Sequence, residues 1–230
     1  MILVTADTHG ENDFHKLSND KIKRVCDGQM PQYLIICGDF AVPWFNAEDN
    51  PQDIYLRKWY DEKPYQVIVC KGNHENYSRI ERMPLEEYMG GLVRRYSKNI
   101  VYVENNSILT IEGKTYYFFG GANSIDKACR VPFLSWWPQE TASPKECLEM
   151  MQKVSENPKV DYIISHTCPE SLVKIFSNDF DKLYDPDPTR VALDYLKDHI
   201  QFEKWFFGHF HKDVTEEKYT CSFKKVHQIV

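Results

Sequence analysis

At 230 residues, with 42% apolar and 14% aromatic side chains, the chain can bury a sizeable core, which excludes a disordered or low-complexity protein. Its 28 basic and 34 acidic residues leave a net charge of −6, which disfavours long nucleic acid as a partner, because that needs a broad basic face; a local basic pocket stays open. No apolar run reaches 18 residues, and seven cysteines without a C-x-x-C pair read as reduced thiols. The expectation is therefore a cytoplasmic protein without a membrane segment, one domain over residues 1–230, with an oligomeric state that the sequence leaves open.

The first strand is predicted over residues 2–6, with no leader before it, and it runs into Asp7-Thr8-His9. A helix is predicted over 14–26, where Phe14, Leu17, Ile22 and Val25 form a loose apolar face. A second strand, 33–37, ends at Gly38-Asp39, and a helix follows at 51–60 with Ile54, Leu56, Trp59 and Tyr60. A third strand, 67–70, leads through Lys71 into Gly72-Asn73-His74-Glu75. Strand–helix–strand order of this kind predicts a parallel sheet covered by helices.

The middle changes character. Residues 100–103, 108–111 and 115–119 are short β-type runs, and Glu112-Gly113 is a hairpin turn signal. Gly120-Gly121 then opens a long irregular segment, 122–142, whose length points to a functional loop. Within it Trp136-Trp137 reads as the cover of a core edge, with stacking on a base or aryl group as the alternative. Ser143-Pro144 with Glu146 marks the start of a helix reaching about residue 157, and a further helix is predicted over 188–199. The strand 162–165 ends at His166, and the strand 205–207 ends at Gly208-His209-Phe210-His211. The tail, 214–230, reads as one or two strands, so the whole predicts two β-rich sheets with helices outside.

Five apolar runs thus end in metal-ligand residues, and five of the eight histidines fall in those endings beside Asp7, Asp39 and Asn73. Open α/β sheets build their sites at the carboxyl ends of strands. Carboxylate, imidazole and amide oxygen suit divalent Mn, Fe, Zn, Co or Ni, and a carboxylate can bridge two of them. Asp7-x-His9 and His209-x-His211 have i, i+2 spacing, which in extended backbone puts both side chains on one side. His15, His199 and His227 lie outside these endings and read as surface or packing histidines.

The ordered set D-x-H, G-D, G-N-H-E, a lone His and G-H-x-H, from Asp7 to His211, resembles the calcineurin-like metallophosphoesterase family. The resemblance implies an α/β fold, a four-layer sandwich of two mixed β-sheets flanked by helices. It implies two divalent metal ions, with manganese favoured: Asp7, His9 and His211 on one, Asn73, His166 and His209 on the other, Asp39 bridging. It also implies phosphomonoester hydrolysis by a metal-bridging hydroxide attacking in line, with His74 facing the phosphate and assisting the leaving oxygen. The expected substrate is a phosphorylated small molecule or a phosphoprotein. The rival readings are a phosphodiesterase acting on cyclic nucleotides or nucleic acid ends, and a non-catalytic scaffold, which the complete ligand set disfavours.

The chain departs from the family's protein Ser/Thr phosphatases after Asp39, where Phe40-Ala41-Val42-Pro43-Trp44 contains neither the Asp nor the Arg they carry. Lys71 stands where those enzymes have Arg. The group that orients His74 is therefore not identified. The segment 120–140 resembles small bacterial or phage members, and Arg130, Lys127 and Arg79 are the candidates for the missing phosphate contact.

Overall fold

The computed structural model describes residues 1–177 and 187–229. Seven strands form one mixed sheet: β1 (Ile2–Thr5), β2 (Tyr33–Cys37), β3 (Gln66–Cys70), β4 (Leu85–Tyr88), β5 (Gly91–Arg95), β6 (Ile100–Val103) and β13 (His227–Gln228), in the order β13-β1-β2-β3-β6-β5-β4. The core of that sheet, β1-β2-β3-β6, is parallel. Six strands form the second: β7 (Ser107–Ile111), β8 (Lys114–Phe119), β9 (Tyr162–Ser165), β10 (Lys204–Phe207), β11 (Val214–Glu216) and β12 (Tyr219–Cys221), in the order β11-β12-β10-β9-β8-β7, parallel from β8 through β12.

Alternation along the strands explains why the runs are apolar throughout. Ile2, Val4, Ile35, Cys37, Ile68 and Cys70 point toward the second sheet and pack with Tyr116, Phe118, Tyr162, Ile164 and Phe206. Their neighbours Leu3, Leu34, Ile36, Val67 and Val69 point outward, against Ile22 of α1 (Asn19–Val25) and Leu56 and Tyr60 of α2 (Pro51–Asp61). On the far face, Ile163, Trp205 and Phe207 meet Met150 and Val154 of α3 (Pro144–Glu156) and Leu193 and Leu196 of α4 (Pro188–His199). Strands buried on both faces carry no polar alternation, as parallel sheets under helices require. The result is the four-layer α/β sandwich expected, helices–sheet–sheet–helices.

The helix starts follow local rules. Asn50-Pro51, Ser143-Pro144 and Asp187-Pro188 each place a capping side chain before a proline at the first helical position. Asn50 accepts from the Gln52 amide at 3.0 Å, and Asp187 from that of Thr189 at 2.8 Å. At Ser143 the cap is reciprocal, since Glu146 reaches back to the Ser143 amide at 2.8 Å.

Three features differ from the sequence expectation. The helix predicted over 14–26 breaks at Ser18 into a 3₁₀ turn, Phe14–Leu17, and α1. The break turns the Lys16 ammonium inward, where it donates to the carbonyls of Ala6 and Phe223, tying the end of β1 to the C-terminal tail. The hairpin β4–β5 is absent from the sequence expectation: β4 has no buried residue and β5 buries only Gly91 and Val93, while Leu85 and Leu92 are exposed, so the apolar pattern is too short to read and the left-handed Met89-Gly90 turn marks the pair. The tail forms three short strands, with Val230 outside the described residues, while the Glu112-Gly113 turn joins β7 and β8 with both residues at positive φ, as a two-residue hairpin demands.

Candidate metal centre

The five strand ends named from sequence come together at one edge of the sandwich. The parallel ladder continues past the strands as loop bonds: the Asp7 amide donates to Gly38 O at 3.0 Å, that of His9 to Asp39 O at 2.9 Å, and that of Gly208 to His166 O at 2.9 Å. Beyond these bonds the chain must turn outward at once. Asp7, His9, Asp39, His209 and His211 all have positive φ, between 45° and 69°, a left-handed backbone that costs these residues energy and clusters at functional sites.

Glycines of the motifs, Gly38 and Gly72 among them, make room for candidate ligand side chains from the neighbouring loop. A Cβ on Gly38 would lie 2.3 Å from Nδ1 of His166, and a Cβ on Gly72 would lie 2.2 Å from the Asp39 amide nitrogen and 2.3 Å from its Oδ1. Any side chain at either position would displace a candidate ligand.

The side chains form two groups that share Asp39. In the first, Asp7, His9, Asp39 and His211 each offer one ligand atom, all within 4.8 Å of one another. In the second, His166 Nε2 lies 3.2 Å from Asp39 Oδ1 and 2.9 Å from Asn73 Oδ1, and His209 Nδ1 lies 3.0 Å from that same amide oxygen. Hydrogen bonds outside the site fix how these side chains face it. His166 Nδ1 donates to Cys37 O at 2.9 Å, leaving Nε2 turned inward. Asn73 Nδ2 donates to Ser124 Oγ at 3.1 Å, and that hydroxyl donates to buried Glu140, so the amide oxygen is the atom presented.

The charges show what the donor set fits. Burial alone would raise Asp39, but the imidazoles of His166, His74 and His9 around it hold it well below the usual carboxylate range. Burial would likewise lower His166, but Asp39 and Asp7 outweigh it and lift it to about 9. A proton on His166 Nε2 thus sits between Asp39 and Asn73, where a cation would take its place. Asp7 goes the other way, since burial raises it to about 7. A fully buried carboxylate, imidazoles aimed inward and an amide oxygen with its nitrogen tied back are a set that divalent cations satisfy.

His74 stands apart from the ligand atoms. Its backbone N–H donates to Asp39 Oδ1 at 2.8 Å, and its Nε2 lies 2.8 Å from Nη2 of Arg130. A guanidinium only donates, so Nε2 is the acceptor and the ring proton is on Nδ1. Burial lowers His74 to about 4, and the Arg130 charge adds to that. Arg130 reaches in from the 122–142 loop, held by Asp126 at 2.8 Å and by the carbonyls of Asn73 and Ser135.

The other two candidate phosphate contacts are placed elsewhere. Lys127 lies over the Trp136 ring, 4.3 Å from its centroid. Arg79 is ion-paired with buried Asp53 at 2.7 Å and donates to Phe45 O at 2.9 Å. A cleft of about 350 Å³ over the site is lined by Asp39, Asn73, His74, Arg130, His209 and His211 together with Ile125, Asp126, Ser177 and Phe210, and by neither Lys127 nor Arg79. Trp137 is fully buried, as a core-edge residue should be, and its indole N–H donates to Ser78 at 2.7 Å.

Several supporting residues carry no signal in the sequence. Lys16, Ser124 and Glu140 arrive from remote segments. Glu75 is the exception, since it belongs to G-N-H-E. It is buried and accepts from the amides of Phe40 (2.9 Å), Ala41 (3.0 Å) and Gly72 (3.4 Å) and from the Tyr102 hydroxyl (3.1 Å), so it shapes the turn that presents Asp39. Replacing Glu75 by Gln aims an NH₂ at one of these donors. The expected loss is about 2 kcal/mol of folding stability, read from urea denaturation of the metal-free protein; an unchanged midpoint would contradict this role.

A family model described as calcineurin-like phosphoesterase matches residues 1–213 of the chain. A comparison with curated proteins finds no match.

Proposed function

The chain belongs to the calcineurin-like phosphoesterase family and is a hydrolase of phosphoric esters, and from that premise we propose that it cleaves phosphomonoesters at a centre of two divalent cations. The observation that supports the pair is the sharing of Asp39 between two groups of ligand atoms. On this reading Asp7, His9 and His211 would hold one cation, Asn73, His166 and His209 would hold the other, and Asp39 would serve both. Bound there, the cations supply Lewis acidity toward the phosphoryl oxygens and a water of lowered pKa. Carboxylate and amide oxygens with imidazoles suit Mn, Fe, Zn, Co or Ni alike, and among these manganese is the ion that the family resemblance favours.

The remaining steps belong to side chains of this chain. Arg130 is the only guanidinium or ammonium lining the cleft among the described residues, and it binds the phosphate. His74 accepts from Arg130 and so aims it. The resemblance assigns His74 to protonating the leaving oxygen, but with Nε2 an acceptor and the ring held neutral, it can donate there only after that hydrogen bond opens and a proton is supplied. Asp39, through the His74 amide, fixes where the imidazole stands.

The substrate class on this reading is a phosphorylated small molecule or a phosphoprotein, and the acidic net charge weighs against long nucleic acid. Seven free cysteines, five of them buried, support a reducing, cytoplasmic setting. Among the described residues no helix is long and apolar enough to cross a membrane. A diesterase is the second reading. It is favoured by a second cleft that meets the first at His74, which would give each ester arm its own side.

The test strips the protein of metal, reloads it with Mn²⁺ and compares initial rates on an aryl phosphate monoester and the matching bis-aryl diester. Metal-dependent turnover with the monoester preferred is the expected result. Preference for the diester would replace the first reading by the second, and no turnover on either with metal bound would remove both.

A further inference from the structure

The second cleft has a chemistry of its own. It holds about 380 Å³ and runs from His9 and His74 along Ala41, Trp44, Phe45 and Leu56. Trp44 forms its wall next to the site: its ring is 6.2 Å from that of His74 and inclined 31° to it. Trp137 supports Trp44 edge-on, with centroids 6.0 Å apart.

The wall is built to stay in place. The Trp44 amide donates to Asp53 Oδ1 at 2.9 Å, and the Trp44 carbonyl accepts from Asn76 Nδ2 at 2.8 Å. Asp53 is also bonded by the Phe45 amide at 3.2 Å and pinned by Arg79 at 2.7 Å. The charge that sequence reasoning offered to the phosphate is thus spent on fixing this aromatic loop. A fixed aromatic face beside a phosphate site loses little entropy when a ring stacks on it.

Among the described residues no lysine or arginine lines this cleft, and Glu11 stands exposed at its rim. The first cleft, by contrast, has Arg130. The two sides of His74 therefore sort an ester by charge: the phosphate lies toward Arg130, the rest of the molecule toward Trp44.

We propose that the Trp44 cleft binds the organic arm of the phosphoester and selects an uncharged planar ring, a nucleobase or an aryl group, while rejecting arms that carry a second anion. This rests on the phosphoesterase reading above and narrows its substrate class. It moves the stacking role from Trp136-Trp137 to Trp44.

The experiment compares kcat/KM of the Mn²⁺-loaded protein for adenosine 5′-monophosphate and ribose 5-phosphate, which leave through the same alcohol and differ by the base. The expected ratio is about 10- to 100-fold in favour of the nucleotide. Trp44→Ala should bring the ratio toward one, and Trp44→Phe should restore most of it. Phenyl phosphate against 4-carboxyphenyl phosphate tests the charge rule, with the carboxylate poorer and the gap narrowed by Glu11→Lys, an exposed change that leaves the core intact. Equilibrium dialysis of adenosine against the metal-free protein gives a readout independent of turnover, with saturable binding lost in Trp44→Ala. A wild-type ratio near one, no adenosine retention, or ratios indifferent to Trp44 and Glu11 would each overturn the proposal. If no ester is cleaved with metal bound, the phosphoesterase reading falls, and adenosine retention still judges the cleft by itself.

Discussion

Asp39→Asn is expected to lower kcat/KM by at least about 10³-fold, or about 4 kcal/mol of transition-state stabilisation. The substitution keeps the shape and removes the charge. Asp39 Oδ1 faces His166 Nε2 at 3.2 Å and Oδ2 faces His9 Nε2 at 3.3 Å, so one carboxylate closes both groups of ligand atoms. An amide presents one oxygen and one NH₂, and whichever way it turns, one group meets a donor. Metal analysis after dialysis should therefore show fewer than two Mn²⁺ per chain, and the thermal shift on adding Mn²⁺ should shrink with it. An Asp39→Asn variant that retains two ions and near-normal rates would sink the shared-ligand assignment.

Arg130→Ala is the second large effect, an expected drop of about 10²-fold in kcat/KM. The guanidinium is the only cationic side chain in the cleft among the described residues, and its loss leaves His74 Nε2 without its partner. Both KM and kcat should suffer, because the phosphate loses a contact and the imidazole loses its orientation. Arg130→Lys should recover part of KM and little of kcat, since an ammonium restores the charge but not the forked geometry. Were Arg130 only a solvated loop charge, both variants would behave as wild type.

This residue also answers a question that the sequence left open. The chain has no carboxylate after Asp39 to orient His74, and nothing local in the sequence points to a substitute. The group comes from 56 positions downstream, through a loop that depends on Asp187 bonding the Asn123 amide and Thr189 bonding that of Ala142. Long-range polar contacts of this kind leave no periodicity to read. The candidate ligand positions were legible for the opposite reason: each lies at the end of a strand whose two buried faces make it a continuous apolar run. The central strands and capped helices were legible too, while the β4–β5 hairpin, whose edge strand β4 buries no residue, was not. Arg79 and Lys127 show the limit of reasoning from charge and proximity along the chain. Both lie in the right segments, and their neighbours Asp53 and Trp136 claim them.

Gly38 and Gly72 have a meaning for reading genomes. Each is the empty half of a contact whose filled half is a candidate ligand from another loop, His166 for one and Asp39 for the other. The motif is therefore partly a record of volumes, and it can decay in two ways. A homologue that keeps these glycines but has lost its histidines retains the mould and can regain the site by single substitutions. A homologue that keeps every ligand letter but carries a side chain at either glycine must move a candidate ligand to hold it, so a full count of ligands does not by itself mark an enzyme.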